Sequence, residues 1–298
     1  MQFAFCASVL FVGATSAQAN TLLFDITYTQ AVQNNPQFVN IESAVNYVSS
    51  LYSGLFSTTA TLNFKIDQST GVPLTSNDPI QQLSNFSQIS TALAADGSGV
   101  YVPQTDPTGG GSGGWVMNTA EAKALGIFSG VNGASDGTMT FNPNQNYTYD
   151  PANRSVSGAY DFIGMVEHEF SEMMGRDSQL SFSQLEPYDL FRFSAPGSPS
   201  FSVTPGQDVY FSTDNGATRL ATFNSTSGGD FMDLNGSVVD DPFNAFASTG
   251  QAYSLNAVDL LSFNAVGFES AIPEPSEIIL VASGCILLAG RRRRAPRI

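Results

Sequence analysis

The chain has 298 residues, 11 Lys+Arg against 26 Asp+Glu, and a formal net charge of −15. Five of the bases, Arg291–Arg294 and Arg297, lie after residue 271 together with Glu274 and Glu277, leaving six bases against 24 acids before that point. Such a surface repels phosphate, so nucleic acid is excluded as a partner; what remains is a solvated acidic face or cation binding.

Residues 2–15 are almost wholly apolar and lead to Ala17-Gln18-Ala19, the small-x-small pattern of a signal-peptidase site. Residues 1–19 therefore read as a signal peptide, although the basic n-region is missing. Residues 20–271 then form one domain, long enough to bury a sizeable core. Thr21–Thr29 alternates apolar and polar residues as a strand does, and Phe38–Leu55 carries apolar residues at helical spacing after Asn35-Pro36. Thr58–Asp67 alternates again. Asp78–Ala95 is expected as a helix, with Asp78-Pro79 as cap and first-turn residue. Gly109–Gly114 is a flexible break; no Gly-Lys-Ser/Thr follows it, so it is no phosphate loop.

Asn118–Leu125 is a short helix and Gly137–Phe141 a short strand, followed by a tyrosine-bearing loop over Asn142–Asp150. A helix over about Ser157–Met174 stops at Gly175. Val209–Thr213 and Ala217–Phe223 flank Asp214-Asn215-Gly216 as a β-hairpin. Asp230, Asp233, Asp240 and Asp241 crowd a Gly/Asn-rich loop, either a polar surface or a Ca²⁺ site without EF-hand spacing. Asn256–Phe268 closes the domain as a helix with Val258, Leu261, Ala265 and Val266 inward.

At the end of the chain, Pro273-Glu274-Pro275 precedes a 13-residue apolar stretch, Ile278–Gly290, and then the arginine cluster. Thirteen residues are short for a bilayer, though flanking arginines can snorkel. Arginines stay cytoplasmic, which puts the domain outside the inner membrane. This three-part tail, about residues 272–298, resembles the PEP-CTERM sorting signal of Gram-negative bacteria. The resemblance implies transient inner-membrane anchoring, then removal of the tail by an exosortase-type sorting enzyme and a cell-surface or extracellular destination. Cys6 and Cys285 both lie in the removable ends, so the mature domain should hold no disulfide.

The chemistry concentrates around the one histidine of the chain, in His168-Glu169-Phe170-Ser171-Glu172-Met173-Met174-Gly175-Arg176. Glu167, Glu169 and Glu172 are three of only nine glutamates. His-Glu-x-x-Glu differs by one residue from the His-Glu-x-x-His of zinc hydrolases. Residues four apart on a helix share a face, so His168 and Glu172 can grip one ion while Glu169 stands at its edge as general base. A third ligand and an open position would complete a catalytic Zn²⁺ site hydrolysing a peptide or protein substrate. Carboxylate in place of the second histidine also admits Ca²⁺ or another hard cation. Ser178 occupies the position where a third ligand three residues past Gly175 would stand, and Asp177 is one short. Glu186 and Asp189 are therefore the downstream candidates, with Asp189 preferred; its alternative role is an ion pair with Arg192. Tyr188 is either an oxyanion donor or a packing residue.

HEFSEMMGR, with DLFRFSAPG, VYFSTDNGATRLATFN and the terminal AVDLLSFNAVGF, resembles a family of PEP-CTERM-bearing, zincin-like metalloproteases with a His-Glu-x-x-Glu motif. The resemblance spans most of residues 21–270. It implies an α+β fold in which a mixed twisted sheet packs on an active-site helix, with a β-rich C-terminal part from about residue 177. Two other readings stand beside it. One is a non-catalytic surface or biofilm-matrix protein on the same scaffold; the other is a glycoside hydrolase pairing Glu169 with Asp189.

Overall fold

The computed structural model describes residues 22–109 and 114–271. The expected signal peptide, most of the Gly109–Gly114 break, both cysteines and the expected sorting tail lie outside the described residues. No helix of the described residues is long and apolar enough to cross a membrane.

Strand β1 (Leu22–Tyr28) leads through the single turn α1 (Gln30–Gln33) into α2 (Phe38–Leu55). α2 buries Ile41, Ala44, Val45, Val48 and Tyr52, spaced so that one stripe faces the core. It returns the chain to β2 (Ala60–Gln68), which pairs parallel with β1 from Leu22↔Ala60 to Tyr28↔Ile66. A parallel pair needs such a crossover, and α2 supplies it.

The next stretch departs from expectation. Asp78-Pro79 does not cap a helix; it ends strand β3 (Thr75–Pro79), and a second short strand, β4 (Gln81–Ser84), follows. Helix α3 starts only at Phe86 and runs to Ala95, capped by Asn85, whose side chain accepts from the Gln88 N–H at 3.0 Å. The physical reason lies in the proline. It pushes Asp78 toward extended backbone, and an edge strand tolerates its missing N–H. Ile80 and Leu83, whose spacing suits a helix, lie exposed.

Strand β5 (Trp115–Asn118), helix α4 (Thr119–Ala124) and strand β6 (Gly137–Phe141) follow, with α4 and β6 close to the expected bounds. The main sheet has the order β1-β2-β6-β3; β6 runs parallel to β2, and β3 is an antiparallel edge. Two-residue strands β7 (Tyr147–Thr148) and β8 (Tyr160–Asp161) pair ahead of α5 (Phe162–Met173), the motif helix. α5 thus begins several residues later than Ser157.

α5 lies against the sheet. Phe170 packs on Phe24 (ring centroids 5.9 Å apart) and Phe64 (5.0 Å), and Phe162 on Phe141 (5.3 Å). Each such ring contributes about 1.5–3 kcal/mol by leaving water. Tyr52 donates to the Glu167 carbonyl at 2.7 Å, tying α2 to α5. Gly137 permits the close approach of β6, since a Cβ there would stand 2.6 Å from Met173 Sδ.

Beyond α5, two 3-10 turns (Leu180–Phe182 and Pro187–Phe191) lead to β9 (Arg192–Ala195), β10 (Ser198–Pro199), β11 (Tyr210–Phe211) and β12 (Ala221–Thr222). These make a second sheet of order β10-β9-β11-β12. β11 and β12 are the expected hairpin, shorter than foreseen, turning at Asn215 (φ 60°) and Gly216 (φ 78°). Helix α6 (Ala257–Ala265) closes the domain. Ala265 and Val266 are buried as expected, but the helix also buries Asp259, Ser262 and Phe263, while Val258 and Leu261 are half-exposed. One hydrophobic core runs through both parts, from Leu22 to Phe268. The chain is α+β, with several sheets.

Candidate metal centre

α5 is buried on nearly every side, so its polar side chains need partners within the protein. Glu167 finds one in Arg154, at 2.9 Å, on the side where Arg154 also holds Asp161 at the helix start. Glu167 is thereby accounted for structurally.

His168 and Glu172 point the other way and converge, as their spacing predicts. His168 Nε2 stands 3.2 Å from Glu172 Oε1 and 3.5 Å from Asp233 Oδ1. The donor atoms of these three residues all lie within 4.8 Å of one another. Ligands of a tetrahedral Zn²⁺ at roughly 2.0–2.1 Å stand about 3.3 Å apart, so the two measured separations bracket that edge. The other ring nitrogen, Nδ1, lies 2.7 Å from the carbonyl oxygen of Pro242. A carbonyl can only accept, so Nδ1 carries a proton, and a metal that displaces the proton from Nε2 would meet that nitrogen's lone pair. One imidazole nitrogen and two carboxylates suit Zn²⁺, and the residues present fit that ion.

Asp189, expected as the third ligand, is a correction. Its Oδ1 accepts from Ser178 Oγ at 2.7 Å and its Oδ2 from the Glu186 N–H at 2.9 Å, capping the Pro187–Phe191 turn. A residue that closes its own turn is committed locally. Arg192 meanwhile donates to the carbonyls of Phe231 and Ser202. Tyr188 is a core residue, packed on Phe211 at 5.5 Å. The Asp-rich loop also resolves differently from a Ca²⁺ loop. Asp233 turns to His168, Asp241 accepts from the Phe243 N–H and from Asn256, and Asp230 accepts from the Met232 N–H.

Two partners of the centre escaped the sequence reading. Arg176, fully buried, places Nη1 3.1 Å from Asp233 Oδ1 and Nη2 3.4 Å from Glu172 Oε1, with its guanidinium 4.3 Å from the Phe243 ring. Its Nε donates to Ser171 Oγ at 2.8 Å, which fixes the fork. Asn77, on edge strand β3, donates through Nδ2 to Glu169 Oε2 at 2.7 Å and also to Glu172 Oε2. Arg176 stands four residues after Glu172, a spacing that could have flagged it, whereas nothing in the sequence links Asn77 to His168.

The charges reinforce one another. Burial opposes a proton on His168, yet Asp233 and Glu172 outweigh it and push its pKa up to about 10. Burial likewise opposes ionisation of Glu172, but His168 and Arg176 hold it down at about 2. The field at His168 therefore favours positive charge, while burial pushes the Asp233 carboxyl up against the pull of His168 and Arg176. Glu169 has weaker help: burial, then the charge of Glu172, push it up to about 7 against the pull of His168, Thr75 and Asn77.

No protein-family model, curated protein or solved structure matches this chain.

The centre opens on a cleft of about 890 Å³ lined by Asn77, His168, Glu169, Glu172, Asp233 and Phe246, among others. β3 forms one wall and is the outermost strand of its sheet. Asp189 is not among the lining residues, so pairing it with Glu169 across a sugar has no support.

Proposed function

We propose that this chain is a zincin-like, metal-dependent endopeptidase, exported through its N-terminal segment and sorted by its C-terminal tail. The observation that carries the reading is the convergence of His168 Nε2, Glu172 Oε1 and Asp233 Oδ1 beside a cleft, with the far side of the imidazole locked on Pro242. His168, Glu172 and Asp233 would hold Zn²⁺. Bound there, the metal would polarise a scissile carbonyl and acidify water.

Glu169 stands one residue from His168 at the same cleft and takes up a proton near neutral pH, which suits a general base that later returns it to the leaving amine. Asn77 holds that carboxylate beside Glu172. Arg176 offsets part of the negative charge of the two carboxylate ligands, a charge that would otherwise weaken the Lewis acid. The exposed edge of β3 offers backbone N–H and C=O groups to an extended peptide, which supports a peptide substrate.

The test is chelator-sensitive cleavage of casein by the purified protein, with zinc content measured alongside. Activity that tracks stoichiometric zinc and vanishes in Glu169→Gln supports the assignment; equal activity in the variant removes Glu169 from the role. One observation favours the alternative of a non-catalytic surface or matrix protein. Arg176 and a protonated His168 together can satisfy Glu172 and Asp233 without any metal. Purified protein without stoichiometric metal, even after incubation with zinc, would select that reading.

A further inference from the structure

A second group of acids lies behind the metal centre, where the chain leaves α5. Glu121 is fully buried, and neither of its carboxylate oxygens has a hydrogen-bond partner. Glu186 Oε2 and Asn118 Oδ1 are buried and unpartnered too. All four of these orphaned atoms are acceptors.

Their neighbours bring them together. A Cβ on Gly175 would stand 2.9 Å from Glu121 Cδ and Oε2, so the carboxylate rests on the backbone of the turn that carries Asp177. Asn118 precedes Glu121 by three residues and donates its amide to the Glu172 carbonyl at 2.8 Å, which aims Oδ1 away from α5. Gln81 faces Asn118 in the β4–β5 ladder and donates to Glu186 Oε1. Leu185 is bridged to Trp115, which keeps Glu186 beside β5. The acids that act on Glu186 are Asp177, Glu121, Asp189 and Asp230, and no base is among them.

We propose that Asn118, Glu121, Asp177 and Glu186 form a buried, all-oxygen cation site of the kind that takes Ca²⁺. Buried carboxylates without a counter-charge are strongly disfavoured, so either protons or a cation must neutralise them. Protons serve poorly here. A proton on Glu121 supplies a single donor, which could serve at most one of the remaining acceptors, Glu186 Oε2 or Asn118 Oδ1. A hard cation satisfies every orphan at once.

Oxygen donors alone, including an amide carbonyl, select Ca²⁺ over zinc. Among the described residues only His168, Glu172 and Asp233 already hold three His or carboxylate ligand atoms within 4.8 Å of one another, so Glu121, Asp177 and Glu186 stand further apart and the second site closes only if Asp177 moves inward. Ca²⁺, with six to eight ligands at roughly 2.3–2.6 Å, accepts that looser set and fills the remainder with water. Asp177 also lines the cleft, which gives the ion a way in. The negative end of α5 adds to the attraction.

The experiment is Ca²⁺ titration of the full-length protein already saturated with zinc, read by equilibrium binding and by thermal melting. One Ca²⁺ should bind beyond the zinc, raising Tm by roughly 5–10 °C at 100-fold excess over Kd. The response should persist in His168→Ala and be lost in Glu121→Gln and in Glu186→Gln. Two glutamine variants are used so that a folding failure in one leaves the other informative. Ca²⁺ binding that disappears in His168→Ala but survives in both glutamine variants would assign the ion to the His168 centre and overturn the proposal. Absence of Ca²⁺ binding, with either glutamine variant more stable than wild type, would show that protons serve instead and overturn it equally. Loss of zinc-dependent cleavage with Ca²⁺ binding intact bears only on the hydrolase assignment.

Discussion

Arg176 Nη1 lies 3.1 Å from Asp233 Oδ1, the same oxygen that stands 3.5 Å from His168 Nε2. A buried base and the imidazole thus share one acid, and Glu172 Oε1 is shared in the same way. Charge at this centre is balanced by the whole group of four side chains.

Removing the base should expose that balance. Arg176→Met leaves Glu172 and Asp233 buried with less compensation, which costs about 3–5 kcal/mol. Saturating zinc should recover much of the loss, because a dication takes over the missing charge. Thermal melts of both proteins with and without zinc check this; a variant that zinc fails to rescue would count against metal binding at His168.

Asn77 is the positioning contact for Glu169. Asn77→Ala removes the hydrogen bond to Glu169 and the one to Glu172 while sparing His168 and Asp233. Casein cleavage should fall roughly 10–100-fold, at or below the low end of the roughly 10²–10⁴-fold a general base contributes, because the base is displaced and not removed, with zinc content unchanged. Zinc content and kcat measured on the same preparation separate the two effects. Joint loss of both would make Asn77 a structural support of the ligands instead.

Gly175 sits at φ 118°, and its missing Cβ leaves room for Glu121. Gly175→Ala imposes a conformation that L-residues avoid and a clash with that carboxylate. The expected cost is roughly 2–3 kcal/mol, seen as a lower urea midpoint. An unchanged midpoint would mean that the turn after α5 rearranges freely.

Asp259 gives a pH signature from a group outside the three metal-ligand candidates. Burial, then the neighbouring Asp241, hold its carboxyl well above the usual carboxylate range, while Arg176 pulls the other way. A folded pKa raised above the unfolded value of about 4 makes a contribution that is full below that value. The contribution is lost as pH rises through the raised folded value. Wild-type urea midpoints should therefore decline between pH 5 and 8 more steeply than those of Asp259→Asn, which keeps an acceptor for the Asn256 N–H that Asp259 Oδ2 now serves. Equal slopes would show that Asp259 is not the titrating group.

The local sequence carries what one helix can specify. His168, Glu169 and Glu172 lie within about one helical turn of each other, and Phe162, Val166 and Phe170 supply the apolar arc that seats it. The glycine break at Gly175, the β1–α2–β2 unit and the Asn215-Gly216 turn are likewise local, because backbone propensity and side-chain period act over a few residues. At Asp78-Pro79 the local expectation of a helix start failed, because pairing along the β6 edge made a strand there.

The tertiary structure alone decided the rest. Asp233, Pro242 and Asn77 reach α5 only because the loops after β12 and the edge of the main sheet fold over it. Asp189 stood closer in sequence and was claimed by its own turn. A metal centre is a convergence in space, and distance along the chain is a poor guide to it when the donors come from irregular segments without a period to read.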